Sequence, residues 1–401
     1  MILKHIRNIF LPVAIFALGV SCLNAQITIG STLPPNTGAL LDLKEFAPNA
    51  QNATSTKGLQ LPRVFLTSPT SLMDVLKGES EIVDPLLATG LWIYNVNETS
   101  AICPGVYLWD GSRWNSMMHT VLESFDDIRT KADGSIEHIV YPARTFGTAG
   151  TWMLENLRAT TYADNLGVNK ATNDIQVTKP TTSLTLKAAY YPNADKALFD
   201  QNPGYGMLYT FAGATNGKTK TINEGESGAT SGTPNPIPGN VEQVGAQGIC
   251  PDGWHLPSDK EWNDLEEVIA NEQTGLYTID NYKSNPWNSD GQDWRLLKMV
   301  NRNSVIGHGA SMKTAFVKVN NDAVTGKSAS YCNGGFNILV IGVVNNAGIG
   351  VSYGSIAIFW SNSANGDSGN AIVRTLSRTS SGVTRTSGSR DFGYSVRCKK
   401  N

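Results

Sequence analysis

The chain has 401 residues, 40% of them hydrophobic, with 39 Gly and 18 Pro. That is length for about two or three domains, and a composition that favours turn-rich β structure over helical bundles. The 32 basic and 34 acidic residues leave a formal charge of −2, which argues against a basic nucleic-acid face and against an acidic disordered tail.

Residues 1–25 read as a secretory signal peptide. Lys4 and Arg7 give a short positive region, residues 9–20 are almost wholly apolar, and Leu23-Asn24-Ala25 ends in a small residue, so that cleavage leaves Gln26 first. Cys22 offers a second cut of lipoprotein type after Leu18-Gly19-Val20-Ser21, with Gly where a large aliphatic residue is usual. No later stretch approaches the roughly 20 apolar residues of a transmembrane helix. The expected location is the cell surface, outer membrane or extracellular medium. Cleavage after Ala25 leaves Cys103, Cys250, Cys332 and Cys398. An even count in an exported chain permits disulfides without choosing among the three pairings, and no two of the four have the short spacing of a zinc knuckle.

Residues 26–117 contain short apolar stretches between turn residues. Thr28-Ile29-Gly30, Ala39 to Leu43, Gly58 to Arg63, Gly90 to Asn95 and Gly105 to Gly111 read as strands or strand edges. Asp110-Gly111, between Trp109 and Trp114, is a hairpin-turn signal. Ser71 to Lys77 alone has helical character. This segment is expected to be a small β-rich module.

A longer domain is expected over 121–401. Residues 218–241, rich in Thr, Ser, Gly, Asn and Pro, read as a loop insertion. Beyond it, Ser258-Asp259-Lys260-Glu261 is a capping box, and Trp262, Leu265 and Ile269 repeat on one helical face through about Ala270. Asn288-Ser289-Asp290-Gly291-Gln292-Asp293 gathers oxygen ligands around a Gly. Asn288, Asp290 and Asp293 are the candidate calcium ligands, set against a solvated turn, since the distal bidentate Glu of an EF-hand is missing. Residues 333–390 hold ten Ser, ten Gly and seven Asn, with no Lys, Glu, Gln or Met and Asp367 as the single acid. With Arg374, Arg378, Arg385 and Arg390, this palette suits either an adaptable recognition surface or low-charge strands with Gly/Ser turns.

Two resemblances rest on these motifs. The first module, with its leader ending in Ala-Gln and its Tyr107-Leu108-Trp109-Asp110-Gly111-Ser112-Arg113-Trp114 hairpin, resembles the N-terminal modules of exported Bacteroidetes surface proteins. This implies a surface or fibre-associated stalk and a homo-oligomer. From about Val121 onward, four anchors occur in order: Thr151-Trp152-Met153-Leu154-Glu155-Asn156-Leu157-Arg158, Tyr205-Gly206-Met207-Leu208-Tyr209-Thr210-Phe211, Gln247 to Ser258, and Gly393-Tyr394-Ser395-Val396-Arg397-Cys398. With Phe359-Trp360-Ser361 they resemble the Fibrobacter succinogenes major paralogous domain family. That family looks like part of the C-type-lectin-like superfamily, which implies an α+β domain with a twisted antiparallel sheet, a capped helix and long loops. It also implies a Cys250–Cys398 disulfide, worth about 4 kcal/mol in the entropic account. Cys103 and Cys332 fall outside the anchors, either paired with each other across the domain boundary or with Cys332 buried and free. Lectin-like domains of this superfamily can be diversified at adenine-containing codons, and pyrimidine-ending codons cannot encode the four residue types missing from 333–390.

Among the anchors, Trp152, Trp254, Trp262 and Trp360 are expected in the core and His255 as a structural hydrogen-bonding group. Glu155 and Arg158 are expected as a surface ion pair of little weight. The reading that follows is a non-enzymatic, adhesin-like surface protein recognising a glycan or a protein. Its candidate contacts are Asn337, Asn345, Asn346, Tyr353, Ser361, Asn362, Asn365 and Asp367, and calcium is the one cofactor weighed. The contrasting readings are a purely structural fibre or fimbria component and an enzyme, because His255 to Trp262 also resembles a segment of formylglycine-generating oxidases. Those need a reactive cysteine pair in one pocket.

Overall fold

The computed structural model describes residues 26–76, 84–97, 102–117, 123–164, 175–178, 180, 182–217, 247–279, 282–284, 307–315, 325–364 and 369–401. Contacts divide the chain into two compact units, Met1–Pro62 and Arg63–Asn401, so residues 63–117 count with the C-terminal unit. In the first unit, Ile27–Ile29 pairs in parallel with Leu41–Leu43. Lys44 closes the following loop by donating to Pro34 O at 2.7 Å and pairing with Asp42 at 2.7 Å.

The second unit begins with a four-stranded sheet of Arg63–Val64, Trp92–Asn95, Gly105–Trp109 and Trp114–Ser116, in that order. The hairpin expected at Asp110-Gly111 forms. Trp109 pairs with Trp114, Asp110 Oδ1 accepts the Ser112 and Arg113 amides at 2.8 Å each, and Gly111 takes the positive φ of +102° that the turn requires. The two Trp rings meet edge-on at 5.3 Å over Leu66, Leu72, Ile93 and Tyr107. Their indole N–H groups donate to Pro85 O and Ser71 O. The helical character read at Ser71 to Lys77 becomes turns over the described residues 71–76; a run that short cannot repay the cost of helix nucleation.

The rest of the unit is α+β, strand-rich with few helices. A five-stranded antiparallel sheet runs Trp254–His255, Lys399–Lys400, Thr151–Met153, Ile136–Thr145, Glu123–Thr130. A seven-stranded sheet runs Gln176–Val177, Ala188–Tyr190, Leu208–Tyr209, Tyr394–Ser395, Ile356–Ala364, Asn370–Ser377, Thr384–Ser389. It is antiparallel except where Gln176–Val177 meets Ala188–Tyr190 and where Phe359 pairs with Ser395. Trp152, Trp254, Trp262 and Trp360 are all buried. Trp360 donates its indole N–H to Tyr209 O at 2.7 Å, and Trp262 donates to Trp360 O at 3.2 Å, so the largest rings also tie helix to sheet.

The helix Asp259–Asn271 starts as its sequence dictates. Ser258 Oγ accepts the Glu261 amide and Glu261 accepts the Ser258 amide, the reciprocal bonds of a capping box. Trp262, Leu265 and Ile269 bury the expected face. Two disulfides cross the unit: Cys250–Cys398, as the resemblance implied, and Cys103–Cys332, which fastens the four-stranded sheet's segment to the C-terminal part.

Candidate functional site

A cavity of about 340 Å³ opens where four distant segments converge. Leu154 and Glu155 follow the strand Thr151–Met153, Asn202 to Tyr205 form a short turn, and Asn337, Leu339 and Arg397 complete the wall with Tyr331. The turn is fixed locally. Gly206 has φ +74°, and a Cβ there would lie 2.5 Å from Asn156 Cβ and 2.7 Å from Leu157 O, so only glycine allows this approach. Asn156 donates to Tyr205 O at 2.9 Å, which sets the tyrosine at the rim.

The electrostatics are those of a shielded polar site. Arg397 is buried with its donors committed: Nε to Asn156 Oδ1 at 3.0 Å, Nη2 to Asn337 O at 3.1 Å, and Nη1 to Phe336 O. Its guanidinium lies 4.5 Å over the Phe336 ring. Burial lowers its pKa to about 9 against the opposing pull of Glu155, which leaves it charged at neutral pH. Glu155 is shifted the other way: burial raises it more than Arg158, paired at 2.9 Å, and Arg397 lower it. The Glu155–Arg158 pair is therefore not the surface bridge expected from sequence. Both side chains are largely buried and the Arg158 guanidinium sits 4.9 Å over Tyr141.

Asn337 is the most informative wall residue. Its backbone takes φ +50°, uncommon for a residue with a Cβ. Its side-chain Oδ1 is buried without a hydrogen-bond partner in the protein, a state that costs free energy unless another molecule supplies a donor. Tyr353 joins the rim through a hydrogen bond with Tyr205, and burial, then that neighbour, pushes its hydroxyl up to about 12.

Of the expected contacts the structure thus places one, Asn337, in the cavity wall, and sets Tyr353 against the lining residue Tyr205. Asn345 and Asn346 serve the fold instead: Asn345 Oδ1 accepts the Ala347 and Ile349 amides at 3.0 Å each, and Asn346 donates to Asp391 at 3.1 Å. Ser361 and Asn362 are buried, the serine donating to Ile372 O at 2.8 Å, so neither presents a contact surface in this conformation. Asn365 and Asp367, and the calcium candidates Asn288, Asp290 and Asp293, lie outside the described residues. Among the described residues no group of three or more His, Cys, Asp or Glu side chains is placed to hold a metal ion.

The arginine palette of 333–390 is corrected more sharply. Arg374 and Arg385 face each other across paired strands and are fully buried beneath the capped helix. Arg374 binds Asp259 at 2.6 Å and Glu266 at 2.5 Å, while Arg385 Nε donates to both Asp259 carboxylate oxygens at 2.8 and 2.9 Å. Glu266 also holds His308 at 3.0 Å. Two cations directly opposite would repel; here the helix carboxylates neutralise them. Arg390 is buried too, stacked 4.7 Å over Phe211, and Arg378 is half-buried. These arginines hold the interior together rather than form a recognition face. His255 is structural as expected, bonded to Asn401 at 2.6 Å and Glu261 at 2.9 Å.

Glu155, Tyr205 and Arg397, which sequence reasoning passed over as sites, each belong to a different one of the ordered anchors, and their convergence on one cavity was the missed signal. A disulfide-tied α+β domain carrying a pocket of mixed polar and apolar lining is the class these features define. The chain matches the family model of the Fibrobacter succinogenes major domain over residues 148–400, more than half its length, and belongs to that family. Residues 28–133 separately match the model of a phage tail like trimerisation region. No curated protein and no solved structure matches the chain.

Proposed function

We propose that the chain is an exported, non-enzymatic surface binding protein of adhesin type. Residues 28–133 join copies into a trimer, and a C-type-lectin-like domain takes its ligand, a glycan or an exposed protein segment, in the cavity at Asn337. The observation that carries this reading is the convergence of three family anchors on a pocket where Asn337 Oδ1 is unspent. Tyr205 and Tyr331 give apolar ring area, while Glu155 and Asn337 offer acceptors to ligand hydroxyl or N–H groups, a mix suited to a sugar ring or a polar side chain. The trimerisation-region match supports the oligomer, and two disulfides favour an oxidising compartment. The oxidase-like alternative needs two reactive thiols in one pocket; here Cys103, Cys250, Cys332 and Cys398 are all spent in disulfides.

The test is binding of the purified chain to a glycan array, with and without calcium, beside Asn337→Ala. A specific sugar signal that falls by about ten-fold or more in the variant, with both disulfides still formed and the variant still folded at the assay temperature, is expected. A signal indifferent to Asn337→Ala would remove the pocket from the account. Silence on every sugar would overturn the glycan reading and leave a protein ligand or a purely structural fibre role.

A further inference from the structure

Among the described residues, the four-stranded sheet of residues 63–116 packs one face into a core and leaves large side chains exposed on the other. Ile93, Tyr107, Trp109 and Trp114 point into its core. Strand side chains alternate, so the opposite face carries Arg63, Trp92, Tyr94, Val106, Leu108 and Asn115. The register places Trp92 opposite Leu108, and Tyr94 between Val106 and Arg63. Trp92 is 43% exposed and Tyr94 37%, and Phe65, just beyond the edge strand, is 59% exposed. A sheet with one wet face ordinarily shows polar residues there; this one shows two aromatic and two aliphatic side chains beside one amide, Asn115, and a single charge, Arg63.

The pattern extends over the region. Of the 21 large apolar side chains exposed among the described residues, 15 fall within 28–133, about a quarter of the chain. Scattered apolar residues need no explanation, but a concentration that includes two exposed rings side by side along one strand marks an interaction surface.

We propose that this open sheet face is the contact through which copies of the chain associate, with Trp92 and Tyr94 as its central anchors. The proposal rests on the trimeric reading above and deepens it by assigning the surface. A second copy is the occupant because the face lies wholly inside the matched trimerisation region. Its composition of large rings with little charge is that of an interface centre rather than of a polar ligand site. A net charge of −2 on 401 residues offers little repulsion between copies. Closed association around a three-fold axis would bury the same row in every copy.

Light scattering on the purified chain tests this. It compares the parent, the double variant Trp92→Lys/Tyr94→Lys, and Leu276→Lys, which changes an exposed leucine outside residues 28–133. The expected result is a trimer for the parent and for Leu276→Lys and a monomer for the double variant, with the Cys103–Cys332 disulfide still formed as the sign of an intact fold. A double variant that stays trimeric beside a trimeric parent would overturn this face and leave the trimeric reading standing. A parent that is monomeric at every concentration would overturn both. The milder Trp92→Ser keeps the test alive if the lysines unfold the sheet: its dissociation midpoint is expected to move by about ten-fold or more, and an unmoved midpoint would contradict the assignment.

Discussion

The four-stranded sheet near the N-terminus and the seven-stranded sheet of the family domain solve opposite problems. The first leaves aromatic rings, Trp92 and Tyr94, in the open; the second hides even its charges, with Arg374, Arg385, Asp259, Glu266 and His308 all fully buried. A region that can bury two guanidiniums and satisfy them from one helix is complete in a single chain. A region whose second sheet face stays apolar and exposed is not. On the functions proposed above, the difference separates a head that would present the ligand from a segment that other copies of the chain would complete.

Breaking the buried network should produce the largest effect. Asp259→Ala takes the carboxylate from two arginines at once and strands them in the interior, for a loss of about 3–5 kcal/mol, read as a lowered denaturation midpoint. Burial alone would lower the Arg374 pKa, but Asp259 and then Glu266 outweigh it and raise it, so the cation stays charged and its loss of partner is costly. A midpoint within experimental error of the parent would show that the network is dispensable.

Acid sharpens the contrast from another side. Burial pushes the Glu261 carboxyl up, but His255, Lys399 and the Ser258 amide outweigh it and hold it at about 2 against an ordinary 4.5. The folded value is the lower one, so its contribution to stability is present above about pH 4.5 and is lost as pH falls toward 2. Glu261→Gln should therefore melt lower than the parent at pH 7, with the gap closing near pH 2; a gap of constant size would refute the assignment. The smallest effect belongs to the surface. Lys196→Ala removes an exposed pair with Asp200 at 2.6 Å, and the denaturation midpoint is expected to stay within experimental error of the parent, measured in the same series.

How much of this was legible in the sequence depends on how far apart the partners lie. The capped helix was legible because Ser258, Glu261 and the Trp262, Leu265, Ile269 face sit within one run of residues, and the Trp109–Trp114 hairpin because Asp110-Gly111 states its own turn. The Cys250–Cys398 bond came through the family resemblance, not from spacing. The buried arginines were illegible: an arginine in a Ser- and Gly-rich strand reads as a surface group, and the carboxylates that draw Arg374 inside lie 108 and 115 residues away. The pocket was hidden for the same reason, since Glu155, Tyr205 and Arg397 share no local pattern. What could be seen was their membership of ordered anchors. The contacts chosen by composition instead were scattered, with Asn337 in the pocket wall, Tyr353 bonded to the lining residue Tyr205, and Ser361 and Asn362 inside.

The contrast between the two sheets is most directly tested by oxidative footprinting of the purified chain across protein concentration, reading each ring separately. Trp152, Trp262 and Trp360 should be protected at every concentration, because the single chain buries them. Trp92 and Tyr94 should be protected when copies associate and become reactive on dilution. Trp92 and Tyr94 reacting as free, exposed rings at the highest concentration would contradict the account, because the apolar face would then be covered by nothing.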